Sequence, residues 1–294
     1  MMKRATLKAS GRIISIAAIL GAASIGLLSC GQHAIPVPGS IGQDTSAIQG
    51  GDSQSGTLSP NVRLNVLLPA PGEAITTSTL PLQLIASGYR VDARYAGTAD
   101  LAYVGHYHEI LDGSLIDMTP LRDGNRDTVS MLGVASGPHV LTLVPANNDH
   151  NVVMPAAVNI PFTYAGPYLP LPPPARFADP PSISITSPAN GSTVQGSSFY
   201  MSANATNFEL CQECFGKANI AGVGHWHIFL DQPTMAHMLT MAGGTTQEVS
   251  LVAVTPGWHT FYAVLVNDHH MPFTGVPTTM SSVRLYVQHG SSSK

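Results

Sequence analysis

Phe261-Tyr262-Ala263-Val264-Leu265 and Val283-Arg284-Leu285-Tyr286-Val287 decide the fold class. Each alternates along its length in the way a half-buried β-strand must, because successive side chains leave a strand on opposite faces. Working outward from this pair, further short apolar runs lie at Ser182 to Thr186, Ser198 to Ala205, His225 to Leu230, Glu248 to Val254 and His259 to Val266. Turn sequences separate them, among them Pro188-Ala189-Asn190-Gly191 and Thr255-Pro256-Gly257. Six or seven strands within about a hundred residues predict an all-β, immunoglobulin-like sandwich over 182–288. Composition agrees: 28 Gly, 23 Pro and only 10% charged residues suit turn-rich β structure better than helical bundles.

The fold is predicted twice. Leu68-Pro69-Ala70-Pro71-Gly72 matches Ser187-Pro188-Ala189-Asn190-Gly191, and Gly105-His106-Tyr107-His108 matches Gly224-His225-Trp226-His227. Further on, Gly137-Pro138-His139 matches Gly257-Trp258-His259, and Asn148-Asp149-His150 is paired with Asn267-Asp268-His269. Matched landmarks in the same order imply a duplication, with sandwiches over 61–165 and 182–288. Between them, residues 166–181 hold seven prolines, which predicts a stiff, extended linker. Residues 289–294 read as a disordered tail.

Histidine is the residue type that carries chemistry here. His225 and His227 stand two apart on one strand, so both imidazoles leave the same face, roughly 7 Å apart at Cα. That is a workable pair of transition-metal ligands. His259 and His269 lie at opposite ends of the next strand, about 33 Å apart, so only one end can meet the pair. In an antiparallel arrangement that end is the Asn267-Asp268-His269-His270 turn. The candidate ligands are therefore His225, His227 and His269 in the second copy, and His106, His108 and His150 in the first. Asp149, Asp268, His270 and His237 are further candidates. Three histidines of this kind suit copper or zinc with an open position for water or substrate. The same histidines could equally bond to backbone carbonyls and serve the fold alone. His139 and His259 read as packing or capping residues.

The chain opens with a targeting segment. Lys3, Arg4, Lys8 and Arg12 precede the apolar stretch Ile13 to Leu28, which ends in Leu27-Leu28-Ser29-Cys30. This reads as a signal peptide over 1–29. Its last residues resemble a bacterial lipobox, which implies cleavage before Cys30, lipidation there, and membrane attachment without a span. Gly31 favours an outer membrane where the organism has one. Residues 30–60, rich in Gly, Ser, Gln, Asp and Thr, read as a flexible tether. Cys211 and Cys214 remain, and outside the cytoplasm such a pair is expected to form a disulfide, although a redox or metal role stays open. A net charge of -4 without a basic run beyond the first dozen residues argues against nucleic acid as a partner.

Gly-His-x-His-x-x-x-Asp, then Pro-Gly-x-His and a late Asn-Asp-His, resembles an uncharacterised bacterial family of exported immunoglobulin-like domains. The likeness covers about 182–288 and more loosely 62–165; it implies fold and export and supplies no activity. Gly105-His106-Tyr107-His108-Glu109 also looks like the metal-binding strand of copper–zinc superoxide dismutases. Those enzymes need a bridging histidine, more ligands and a catalytic arginine, and no such run is present. Nor does the chain show a nucleophile with its base, or a recognisable carboxylate pair. The expectation is a non-catalytic, lipid-anchored envelope protein outside the cytoplasm. It either binds copper or zinc, or serves as a structural or adhesion module toward an envelope protein or glycan.

Overall fold

The computed structural model describes residues 61–119 and 126–289. The segments read as signal peptide and tether, Cys30 with them, lie outside the described residues, as do 120–125 and 290–294. The first domain contains β1 (Arg63–Leu68), β2 (Ala74–Ile75), β3 (Thr79–Ser87), β4 (Arg90–Val91), β5 (Val104–Leu111), β6 (Ser114–Asp117), β7 (Arg126–Ser130), β8 (Gly137–Ala146) and β9 (Val158–Tyr164). The second repeats them as β10 (Ser182–Ser187), β11 (Thr193–Gln195), β12 (Ser198–Thr206), β13 (Glu209–Leu210), β14 (Val223–Leu230), β15 (Met238–Ala242), β16 (Thr246–Ser250), β17 (Gly257–Asn267) and β18 (Met280–Gln288). No helix among the described residues is long and apolar enough to cross a membrane.

Each domain is two sheets packed face to face. In the first, β1-β3-β7 faces β2-β9-β8-β5-β4, with β6 also on β5; in the second, β10-β12-β16 faces β11-β18-β17-β14-β13, with β15 on β14. This is the strand order of an immunoglobulin-like sandwich, and the chain carries two in tandem. Alternation drives it. In β18, Val283, Leu285 and Val287 are buried while Arg284 and Tyr286 face out. Trp226 and Tyr107 are the fully buried centrepieces of the two cores. The Trp226 indole N–H donates to Gly244 O at 2.8 Å, so its burial leaves no unpaired donor.

The two strands that carry the histidine pairs depart from simple alternation. All eight residues of β14 are buried, as are most of β5. Inward-facing Trp226, Ile228 and Leu230 fill the sandwich core, whereas His225, His227 and Phe229 leave by the outer face. That outer face is covered by the other domain. Phe215, Phe229, Met238 and Met241 of the second domain pack with Met118 of the first into a separate apolar cluster. The linker is correspondingly not a free spacer. Gly133 N donates to Leu169 O, Ala175 N donates to Ala221 O, and Leu171 and Ala175 pack against Cys214, Ile220 and Val223. Apolar linker residues thereby gain burial against both sandwiches.

The turn after β4 and β13 shows one geometry held by two chemistries. In the first domain Asp92 accepts from Arg94 Nε and Nη2, both at 2.7 Å, across a short 3-10 turn. In the second, Cys211 and Cys214 bracket the equivalent turn with a disulfide.

Candidate metal centre

The antiparallel register of β14 on β17 places Gly224 opposite Asn267 and His225 opposite Val266. The start of the histidine strand therefore lies beside the turn that ends its neighbour. The same holds for β5 and β8, where His106 faces Ala146. In the first domain this brings Nε2 of His106, Nε2 of His108 and Nδ1 of His150 within 3.0–3.3 Å of one another. In the second, Nε2 of His225, Nε2 of His227 and Nδ1 of His270 lie 2.9–3.3 Å apart.

His270, not His269, completes the second triangle. The physical reason is the turn. Asn267 takes its backbone bond from His270 N, and its side-chain oxygen accepts from His269 N and Met271 N. Asn147 likewise accepts from His150 N. The true equivalence is Asn147 with Asn267 and His150 with His270, each histidine three residues on. Both adopt the left-handed conformation, with φ of 66° and 60°. Such a backbone costs a non-glycine residue roughly 1–2 kcal/mol. His269 instead points to solvent.

The other candidates are held elsewhere. Asp149 accepts from Asn151, and its backbone N donates to Asp100. Asp268 is fully buried, and its Oδ2 accepts from Ile220 N at 2.9 Å, stapling a loop. His237 sits in a short 3-10 turn against the Thr234 hydroxyl, among four extra residues that precede β15 and have no counterpart before β6. At the far ends, His139 and His259 pair with Asp112 and Asp231 and bond to Ala135 O and Thr255 O, as capping residues do. His289 donates to Val254 O.

The second nitrogen of each turn histidine crosses the domain boundary. His150 Nε2 donates to Met238 O at 2.7 Å, and His270 Nε2 donates to Leu115 O at 2.9 Å. Leu115 and Met238 occupy equivalent places, opposite Ile110 and Phe229. The interface is thus two-fold in pattern, each domain's edge strand buttressing the other's triad. Gly97 and Gly216 permit the approach. Both have positive φ, and a Cβ at either would collide with the backbone of Met238 or Leu115.

Those cross-domain bonds fix the tautomer. With the proton on Nε2, Nδ1 of His150 and of His270 presents a bare lone pair to the triangle, as a carbonyl-anchored metal ligand does. Burial, helped by the neighbouring imidazoles, pushes His106, His108, His225 and His227 well below the usual histidine value. Burial lowers His150 and His270 to about 4, against the opposing pull of their carbonyl partners. All six rings are neutral at pH 7 and able to donate to a cation. A zinc or copper ion at the usual ~2.0–2.1 Å from nitrogens this far apart would see N–metal–N angles of about 100°. Such angles are compatible with the tetrahedral preference of zinc. Nδ1 of His106 and of His225 is buried without a hydrogen-bond partner among the described residues.

No protein-family model matches the chain, and no curated protein does. Among solved structures, fibronectin(III)-like modules of CbhA from Clostridium thermocellum cover 77% of this chain and 94% of theirs, at 12% identity and a TM-score of 0.25. The D00-D0 domain of intimin covers 76% of this chain and 98% of its own, at 14% identity and a TM-score of 0.22. Likenesses this loose carry no functional weight, and the fold assignment rests on the strand order.

Proposed function

We propose that the chain is a lipid-anchored protein of a bacterial cell envelope whose docked sandwiches bind two transition-metal ions, copper or zinc. The ligands are His106, His108 and His150 in one centre, and His225, His227 and His270 in the other. One observation carries this reading: three ring nitrogens converge to mutual contact, twice, at equivalent places of a duplicated fold. Nδ1 of each turn histidine turns a lone pair into its triangle, and a cation held there would engage all three rings at once. The anchor rests on the lipobox-like Leu27-Leu28-Ser29-Cys30, and Cys30→Ser should move the protein from the membrane to the soluble fraction.

A second reading has its own support. His150 and His270 already bridge the domains by hydrogen bonds, so the triads could serve purely as polar glue in an envelope interaction module. Metal analysis of the purified chain after dialysis separates the two. Two copper or zinc ions per chain, falling to one in His225→Ala/His227→Ala, supports metal binding. A chain that takes up neither metal on reconstitution is a structural module.

A further inference from the structure

Glu109 follows the histidine pair on β5 but leaves by the opposite face, toward the space between the sheets. It is 2% exposed, and its Oε1 has no hydrogen-bond partner among the described residues. Asp117 on β6 is its direct cross-strand neighbour. Asp127 enters from β7 in the facing sheet. All three line one cavity of about 230 Å³, roofed by Gln212 and Lys217 from the second domain. Asp117 accepts from the backbone at Thr119 and Met118, and Asp127 accepts from Thr128 N; among the described residues neither has an ion-pair partner. The Lys217 ammonium donates to Ser130 O at 2.9 Å and, among the described residues, makes no ion pair with any of the three.

The duplication supplies a control inside the molecule. The equivalent positions of the second domain are Ile228, Thr240 and Gln247, by the strand registers. The fold therefore does not require carboxylates there, and Ile228 packs as ordinary core. Carboxylates gathered in one half-enclosed cavity, uncompensated among the described residues, are unfavourable unless a cation or protons neutralise them. Glu213, beside Gln212 on the same turn, also lines the cavity, so among the described residues four carboxylates face one ammonium and the excess negative charge exceeds that of one divalent ion. The ligands are all oxygen, and the cavity has room for several waters beside them. Oxygen-only sites of this kind suit hard cations, with carboxylates at 2.3–2.6 Å for calcium and water completing the shell.

We propose that Glu109, Asp117 and Asp127 form a calcium site at the domain boundary, separate from the histidine centres. It closes only when the Gln212–Lys217 turn docks. The site is independent of any metal at the triads. The test is calorimetric melting of the chelator-treated full chain in CaCl2 against NaCl of equal ionic strength. Calcium should raise Tm with a dissociation constant of about 10⁻⁴ to 10⁻³ M, the range of extracellular modules. Asp127→Asn, at a half-exposed position, should weaken that response by about tenfold or more while leaving transition-metal content unchanged. Glu109→Gln, close in shape, repeats the test should Asp127→Asn misfold. No rise in Tm up to about 10 mM calcium, or variants that respond like the parent chain, overturns the proposal.

Discussion

Acidification should weaken the metal-free protein steeply, and the size of the effect follows from the six buried imidazoles. In the unfolded chain each histidine titrates near 6.5. In the fold, burial holds His150 and His270 at about 4 and the other four well below 6.5. The native state therefore binds fewer protons than the unfolded state below pH 6.5. Stability is fully present above that pH and falls as pH drops toward 4. Between pH 7 and 5.5 each imidazole forfeits about 1.2 kcal/mol, or roughly 7 kcal/mol for six. The carboxyls act in the other direction. Burial raises Asp117 to about 7 and Glu109 well above the usual range, so both take up protons in the fold as pH falls. They return about 1–2 kcal/mol each. The imidazoles win, with a net loss of roughly 4 kcal/mol, a large part of a typical domain's stability. Urea unfolding of the chelator-treated chain at pH 7.0, 6.5 and 5.5 measures it. Stability that is flat or rising across that interval would refute the neutral, buried state of the triads. Gln at both His106 and His225 should remove about 2.4 kcal/mol of the imidazole loss and so cut the net fall by more than half.

Other outcomes follow from the same geometry. His270→Ala should reduce bound metal from two ions to one, while His269→Ala retains both; elemental analysis after dialysis reads the difference. Gly216→Ala should cost about 1–3 kcal/mol and loosen both metal centres, because its Cβ strikes the Leu115 carbonyl that anchors His270. Thermal melting, with metal retention measured on the same sample, checks it. Cys211→Ser/Cys214→Ser opens a very short loop and should cost about 2 kcal/mol. That is a fall in Tm of several degrees with metal content intact, because the disulfide packs against the linker and not against the triads.

Much of the molecule was legible from local pattern. Period-two alternation located the long strands, because burial against a facing sheet selects it directly. Even so, the short strands β11, β13 and β15 carry too few residues to show a period, and the run expected to reach Val254 stops at Ser250. The spacing of His225 and His227 placed both on one face, and antiparallel pairing brought the right turn beside them. The choice between His269 and His270 failed because a one-residue shift in a turn is invisible to motif matching. The common step of three from Asn147 and Asn267 was the signal that held the answer.

Sequence alone settled what each strand could bury, since a side chain's face depends only on its own backbone. It could not show that the outer faces of β5 and β14 are buried too, for that depends on residues more than a hundred positions away. Docking turns Met238 O and Leu115 O toward His150 and His270, fixes their tautomers and dries both triads. It also sets Lys217 over Glu109 without pairing them. Those are contacts between surfaces, and only the assembled pair of domains decides them.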